Sequence, residues 1–429
     1  MTEAETHRDT ISPWLEWTFT LAIAFSLISI PAASVMLAAA CVAAVAEKWQ
    51  RRELAIDWPP VVAPLGLYLL TTLIAIGLSP EPAAGWGTAR KLVLLLIVLL
   101  APMALRSTDA VYRAFAVISF VGAVSALVGV WQFVFGFDPF HALHHHFPVD
   151  PSRPVRVTGF MSHWMTFSGQ VLLVSLLSIA FALFGEKRQR RLWALAAALT
   201  AVGVALSLTR SAWLALFIGF LVLLWWKKRL AAVVLLLLVP LAWLAAPDIF
   251  RQRVTVLLNP SYGPLSTRTD AFYVGLNIMR EHPFLGIGPG RMDRVFWQYA
   301  PNPETADRAH IFTGHLHSNL LQLAAERGVP CALSFLWLIG MVLLAAAKGF
   351  QKWRGDPRRA AAAAAVFASV LGFFAAGMFE FNFGDSEVLS LILLLSVTPY
   401  LVAEEPRPDV RGIVTVLSGR PPVGERTTS

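Results

Sequence analysis

Charge is what this chain has least of. Only 14% of its 429 residues are charged, 56% are hydrophobic, and the mean hydropathy is +0.62. Soluble domains carry about 25% charged residues, so the composition excludes one and points to an integral membrane protein. Cysteine is nearly absent. Cys41 and Cys331 both lie in or beside apolar stretches, which excludes a disulfide framework and thiolate metal spacing and leaves two buried free thiols as the expectation. No internal repeat is visible, which argues against folds built from duplicated halves. The stretch from Met1 to Pro13 is polar and acidic, and the first apolar segment runs straight into another. No cleavable signal is expected there, and the first helix would serve as the insertion signal.

Long apolar runs are abundant. Segments long enough to span a bilayer, roughly 17 to 25 residues each, are read at Trp14–Ile30, Pro31–Ala46, Trp58–Leu78, Leu92–Leu105, Ala114–Phe137, Thr166–Phe184, Trp193–Leu208, Ala212–Trp226, Leu230–Ala246, Val329–Ala347, Ala360–Phe379 and Leu389–Ala403. The expected fold is all-α, with about twelve transmembrane helices, or about eleven if Pro31 only kinks the first pair. With the N-terminus inside, the short inner loops hold seventeen basic residues and the short outer loops five. The positive-inside rule then places both termini in the cytoplasm. Most of the +8 net charge is topology and calls for no nucleic-acid partner.

The expected organisation is nine spans over 1–246, an outer loop subdomain over 247–316, three spans over 317–403 and a disordered cytoplasmic tail over 404–429. The loop carries turn formers (NPSYGP, GIGPG, APNPE) around a helix predicted at Thr269–Glu281. A structureless loop of that length is unusual unless it is functional. Its end, GHLHSNLLQLAAERGVPC from Gly314 to Cys331, is the most informative stretch. Asn319 followed by Gln322 reads as a capping box for a helix at about Leu320 to Arg327. His317 then stands at the positive end of that helix dipole, which disfavours imidazolium and leaves a neutral ring able to act as a general base. His315 is the weaker candidate, because residues two apart do not share a helix face.

Arginines form the second constellation. Arg210 in SLTRSAW sits between two apolar spans, Arg268 opens the loop helix, Arg291 follows GIGPG and Arg156 lies in RVTGFMSH. Planar guanidinium groups suit bidentate phosphate contact, so a cluster at the outer edge of a bilayer points to a lipid-linked phosphate or pyrophosphate. Headgroup snorkelling is the plainer account of any one of them. GIGPG lacks the context of a phosphate-binding fingerprint and reads as a tight turn. The histidine run His141–Asp150 has no partner spaced to complete a metal site, so no metal and no cofactor is expected. Glu380, Asn382 and Asp385 in FEFNFGDSE stand at the outer end of a span. Together with His315 and Asn319 they are candidate acceptor-binding or supporting residues.

In this order the pieces resemble the O-antigen ligase and polymerase superfamily of bacterial envelope glycosyltransferases. The ligase motif of that family is His, then Asn, Ser or Gln, nine residues, Gly, two residues, then Gly, Thr or Tyr. His317, Ser318 and Gly328 occupy its places, and Cys331 departs from it. HPFLGIGPGRM, RVTGFMSH and SLTRSAW resemble three further family stretches. The resemblance implies a fold similar to the membrane-embedded glycosyltransferases known as GT-C, with a helical periplasmic loop. It also implies transfer of a glycan, without metal, from an undecaprenyl pyrophosphate donor on the periplasmic face of the inner membrane. The acceptor would be a sugar hydroxyl of lipid A-core in a ligase, a second lipid-linked repeat unit in a polymerase, or a protein in related members. On this reading His317 deprotonates the acceptor, and Arg210, Arg268, Arg156 and Arg291 hold the departing diphosphate. A lipid-linked oligosaccharide transporter is the rival from another class; it needs ionisable groups along a path through the spans, and few are seen.

Overall fold

The computed structural model describes residues 13–52, 57–136, 156–248, 251, 263–301 and 313–403. The histidine run at His141–Asp150 and the tail at 404–429 lie outside them. The described residues form helices and no strands: α1 (Pro13–Phe25), α2 (Ile30–Arg51), α3 (Val62–Gly77), α4 (Pro82–Ala104), α5 (Thr108–Phe135), α6 (Trp164–Phe184), α7 (Arg190–Leu206), α8 (Arg210–Lys227), α9 (Arg229–Ala245), α10 (Gly263–Glu281), α11 (Met292–Tyr299), α12 (Asn319–Arg327), α13 (Val329–Lys352), α14 (Pro357–Gly377) and α15 (Ser386–Leu401). Each of the apolar segments read from the sequence carries a helix. Seven (α2, α4, α5, α6, α8, α13 and α14) are long and apolar enough to cross a membrane, and α3, α9 and α15 are shorter apolar helices. The chain is a multi-pass membrane protein.

The boundaries follow local chemistry. The first two apolar runs are separate helices, because the chain turns after Phe25 and Ser29 caps α2, accepting from the backbone N–H of Ala32 at 3.4 Å, with Pro31 in the first turn where no N–H is needed. Ser107 caps α5 in the same way, and Asp356 caps α14, again with a proline next. Helix α10 begins earlier than the predicted Thr269, at Gly263, so Arg268 sits in its second turn. The capping box read at Asn319 is corrected. Ser318 is the cap, accepting from Leu321 N–H at 3.5 Å, and the Gln322 side chain instead accepts from the backbone N–H of Leu316 at 2.7 Å.

Helices α6 and α14 form the centre of the bundle and pack on each other. Close approach is possible because the run Ala360–Ala365 is buried throughout and Gly219 and Gly372 make room for Leu176. In contrast, α9 buries only Ala232 and leans on α8 alone among the stronger helix contacts, presenting leucines and valines outward as a lipid-facing helix does. Outside the bundle, α10, α11 and the turn between them share a small core: Ala271, Val274, Ile278, Ile287, Met292, Val295 and Phe296 close over Leu316 and Ala325. This core seats the loop region on α12 and carries the histidine segment with it.

Candidate functional site

The site is assembled where this small core meets one end of the bundle. The GIGPG turn, Gly286–Gly290, closes the C-terminus of α12: Ile287 N–H donates to Ala325 O at 2.9 Å, Gly288 N–H to Glu326 O at 3.0 Å, and Gly290 N–H to a Glu326 carboxylate oxygen at 2.9 Å. Carbonyls that a helix end leaves open are thereby satisfied. Only glycine fits. Gly286 and Gly328 have φ of +64° and +85°, and a side chain on either would overlap the carbonyl oxygen of Ala325 or Phe284. The segment reads as the tight turn expected from its sequence, and it has a purpose: it fixes α12 and the residues just before it.

Those residues are the histidines. The segment before α12 is not helical, and His317 has φ of +51°, so the argument that separated His315 from His317 on a helix face does not apply. The rings meet edge-on with centroids 4.5 Å apart. The backbone N–H of His317 donates to His315 Nδ1 at 3.2 Å. Burial, aided by His317, His163 and Arg268, holds the His315 imidazole down to about 3. It is therefore neutral at physiological pH, and with Nδ1 accepting, its proton sits on Nε2. His317 is held down to about 4, by burial first and by Arg268 second. The neutral ring expected from a helix dipole is found, but desolvation and a neighbouring guanidinium cause it.

Arg268 reaches back from α10 to the bundle. Its Nη2 lies 2.9 Å from Glu380 Oε1, and the carboxylate is buried. Burial pushes the Glu380 carboxyl up, while Arg268 pulls it the other way. Ser211, one residue after Arg210 at the start of α8, donates to the same oxygen at 3.5 Å. Arg156 stacks over Trp164, its Cζ 4.8 Å from the ring centroid, and its charge is felt by both Glu380 and His163. Its loop is pinned by a residue that no motif marks. The buried Gln132 side chain accepts from Thr158 N–H and Gly159 N–H, each at 2.9 Å, and donates to Gly159 O at 2.8 Å.

The turn between α14 and α15 is tied to the histidine segment by one amide. Asn319 is 1% exposed; its Nδ2 donates to Asn382 Oδ1 at 2.8 Å and its Oδ1 accepts from Phe383 N–H at 3.0 Å. Both ends of that side chain are engaged, so Asn319 supports the site. Asp385 stands at the N-cap of α15 yet makes no capping bond; Thr166 Oγ1 donates to its Oδ2 at 3.0 Å.

Between these parts lies a cavity of about 710 Å³, lined among others by His163, His315, Glu380, Asn382, Asp385 and Arg327, within the ~300–1,000 Å³ range of small-molecule sites. His315 lines it and His317 packs against His315. Arg268 and Arg210 adjoin it through Glu380 and Ser211. Arg291 does not line it: its guanidinium is held by Ile287 O at 2.7 Å and Glu81 at 3.4 Å. The sequence reading also missed part of the wall. His163 ends the RVTGFMSH stretch, and its Nδ1 accepts from Met165 N–H at 3.2 Å, capping α6. Arg90 and Lys91 line it as well, and so does Arg327, which the sequence marks only as the end of a helix. The signal that could have found Arg327 is its place inside the ligase-motif stretch, next to an acidic residue that also proves to be buried.

No curated protein matches the chain. The family model described as O-Antigen ligase matches residues 195–336, a stretch that runs from α7 through Arg210 and Arg268 to the histidine segment and into α13. Over that stretch the chain is similar to the O-antigen ligase family, and the match supports a place in the O-antigen ligase and polymerase superfamily.

Proposed function

We propose that this protein is an O-antigen ligase: it transfers a polysaccharide from undecaprenyl pyrophosphate to a sugar hydroxyl of lipid A-core, on the periplasmic face of the inner membrane, with both termini in the cytoplasm and a GT-C-like fold. The observation that carries the reading is the pairing of two neutral imidazoles with Arg268 at the edge of one large cavity. An anomeric carbon bearing pyrophosphate already has a good leaving group. What remains is to deprotonate the acceptor, align it, and balance charge on the departing diphosphate.

The two histidines suit different parts of that task. His315, with its proton on Nε2, offers a donor to the cavity, for an acceptor or phosphate oxygen. His317 is the general base: it is neutral down to about pH 4, and an approaching diphosphate would raise its proton affinity by adding negative charge. Arg268 is held by Glu380 until a phosphate competes for it, and Arg156 and Arg210 stand at the same end. One base and a direct displacement invert the anomeric configuration. Metal-free transfer follows from guanidinium groups serving in place of a divalent ion.

Polymerase and protein O-oligosaccharyltransferase are the alternatives within the superfamily. A competition assay separates them: purified protein is offered a lipid-linked donor together with lipid A-core, a second lipid-linked unit and an acceptor peptide. Transfer to lipid A-core is expected. Elongation of the lipid-linked unit would make the protein a polymerase, and no transfer to any acceptor would remove the enzymatic reading in favour of a transporter.

A further inference from the structure

The turn between α14 and α15 has two ends. Glu380 belongs to the side of Arg268, Arg156 and Ser211. Asp385 lies with Thr166 and Lys91. The function proposed above uses the first end and leaves the second unexplained.

Asp385 is at a position where aspartate normally caps a helix. Its side chain makes no such bond. It lines the cavity instead, with one oxygen taken by Thr166 Oγ1 at 3.0 Å, and a carboxylate can accept about four hydrogen bonds. On the same wall Lys91 donates to Gly384 O, which occupies one of an ammonium's three donors. Arg327 Nη1 donates to Tyr68 Oη at 2.6 Å, and both residues line the cavity. The phenol oxygen therefore accepts, and its own O–H proton is there to donate. Arg327 is 4% exposed, and its Nε has no hydrogen-bond partner.

The charge balance of this wall decides what it can take. Arg90, Lys91 and Arg327 are matched by Asp385 and Glu326 in the wall and by Glu387 just beyond it, whose charge is felt by Asp385. A phosphate needs an excess of cations and finds none here. A sugar needs donors and acceptors side by side, since each hydroxyl does both, and an apolar surface for its C–H face. Tyr68 and Phe383, ring centroids 5.5 Å apart and edge-on, and Phe381 supply that surface.

We propose that Asp385, Thr166, Lys91 and the Tyr68–Arg327 pair form a subsite for an uncharged sugar unit, in the same cavity as the Arg268 end that takes the diphosphate. The subsite rests on the glycan-transfer reading, and it adds the direction in which substrate lies: pyrophosphate toward Glu380, sugar toward Asp385. The sugar comes from the donor glycan or from the acceptor core; both present the same hydroxyls.

The test is a binding measurement on the full-length protein in nanodiscs. Three probes are titrated: undecaprenyl pyrophosphate without sugar, the released repeat-unit oligosaccharide, and dephosphorylated core oligosaccharide. One or both oligosaccharides should bind the parent protein, and the one that does identifies the source. Asp385→Asn and Lys91→Gln should each weaken that oligosaccharide about tenfold or more and leave undecaprenyl pyrophosphate unchanged. Arg268→Gln should do the opposite. Thr166→Val, which keeps the carboxylate, should weaken the oligosaccharide by a smaller factor, and thermal unfolding of each variant checks that it is folded. The subsite is overturned if neither oligosaccharide binds, or if Asp385→Asn and Lys91→Gln weaken undecaprenyl pyrophosphate and spare the sugar. Loss of glycan transfer in the competition assay, with these binding results intact, would overturn the reaction and leave the subsite.

Discussion

The two ends of the helical bundle use the same residue types to opposite effect. At the end where α2 stops and α5 starts, acids and bases neutralise each other pair by pair: Glu16 takes Arg113 through two bonds of 2.7 and 2.9 Å, Glu47 takes Arg106 at 2.8 Å and Arg51 at 3.0 Å, and Glu186 takes Arg358 at 2.7 Å. Glu16 and Glu47 are buried while their arginines reach toward the surface, so each buried carboxylate has its charge matched where it stands. At the other end the charges surround a cavity, and burial shifts what they are: two imidazoles held down to about 3 and 4, a carboxyl pushed up to about 6. Desolvated groups with displaced proton affinities collect where chemistry is done.

The sharpest way to break this comparison is to remove the proposed base. His317→Ala should reduce transfer about 10²- to 10⁴-fold, read in a reconstituted assay and as lipid-linked polymer accumulating in cells without capped lipopolysaccharide. Arg358→Ala, at the opposite end, should leave turnover as it is. If His317→Ala transfers glycan at the parent rate, the base assignment is gone. Arg268→Gln comes next, with a loss of about 10² to 10³ in turnover from the missing charge stabilisation. Its purified form should gain nothing from added divalent metal; rescue by metal would contradict the arginine argument.

Gly286→Ala tests the link between the loop core and the histidines. Its backbone is left-handed and its neighbour is the Ala325 carbonyl, so the added methyl should cost about 1 to 3 kcal/mol, seen as a lower unfolding temperature together with a fall in activity. The pH profile gives a smaller effect. Before substrate binds His317 is neutral down to about 4, so it cannot cause an acidic limb near neutrality in kcat/KM, which reports the free enzyme. Asp385 can: burial and Glu387 raise its carboxyl to about 6 against Thr166 and Lys91, so transfer should decline as pH falls through about 6, and that limb should vanish in Asp385→Asn. Stability has its own sign. The histidines are depressed in the folded state, so what they contribute is fully present above about 6.5 and is lost as pH falls toward 4. Thermal unfolding across pH 4 to 7 should show that slope shrink in His317→Ala.

Much of the fold was legible, because spanning a bilayer demands long apolar runs and those are local in sequence. The twelve segments read that way all carry helices, even where a boundary moved by a few residues. The site was legible in part. His317 stood out through the motif around it, and Arg268 and Arg156 as cations near a membrane edge. The weaker ranking of His315 rested on helix geometry, and the segment is not a helix. Arg291 looked equal to the other arginines in sequence; only its contacts with Ile287 O and Glu81 set it apart. Gln132, Asn319 and Arg327 act through partners 26 to 259 residues away, and no local pattern records such a bond.

The amino-acid order alone therefore determined a membrane protein made of helices and a histidine set just before a short helix. Hydropathy and capping act over one to five turns of chain, so they can be read there. Which polar groups share a cavity was decided only by the packing of α6, α14 and α15 against the loop core. Burial decided it too, by removing water from His315, His317 and Asp385 and so changing which of them can hold a proton.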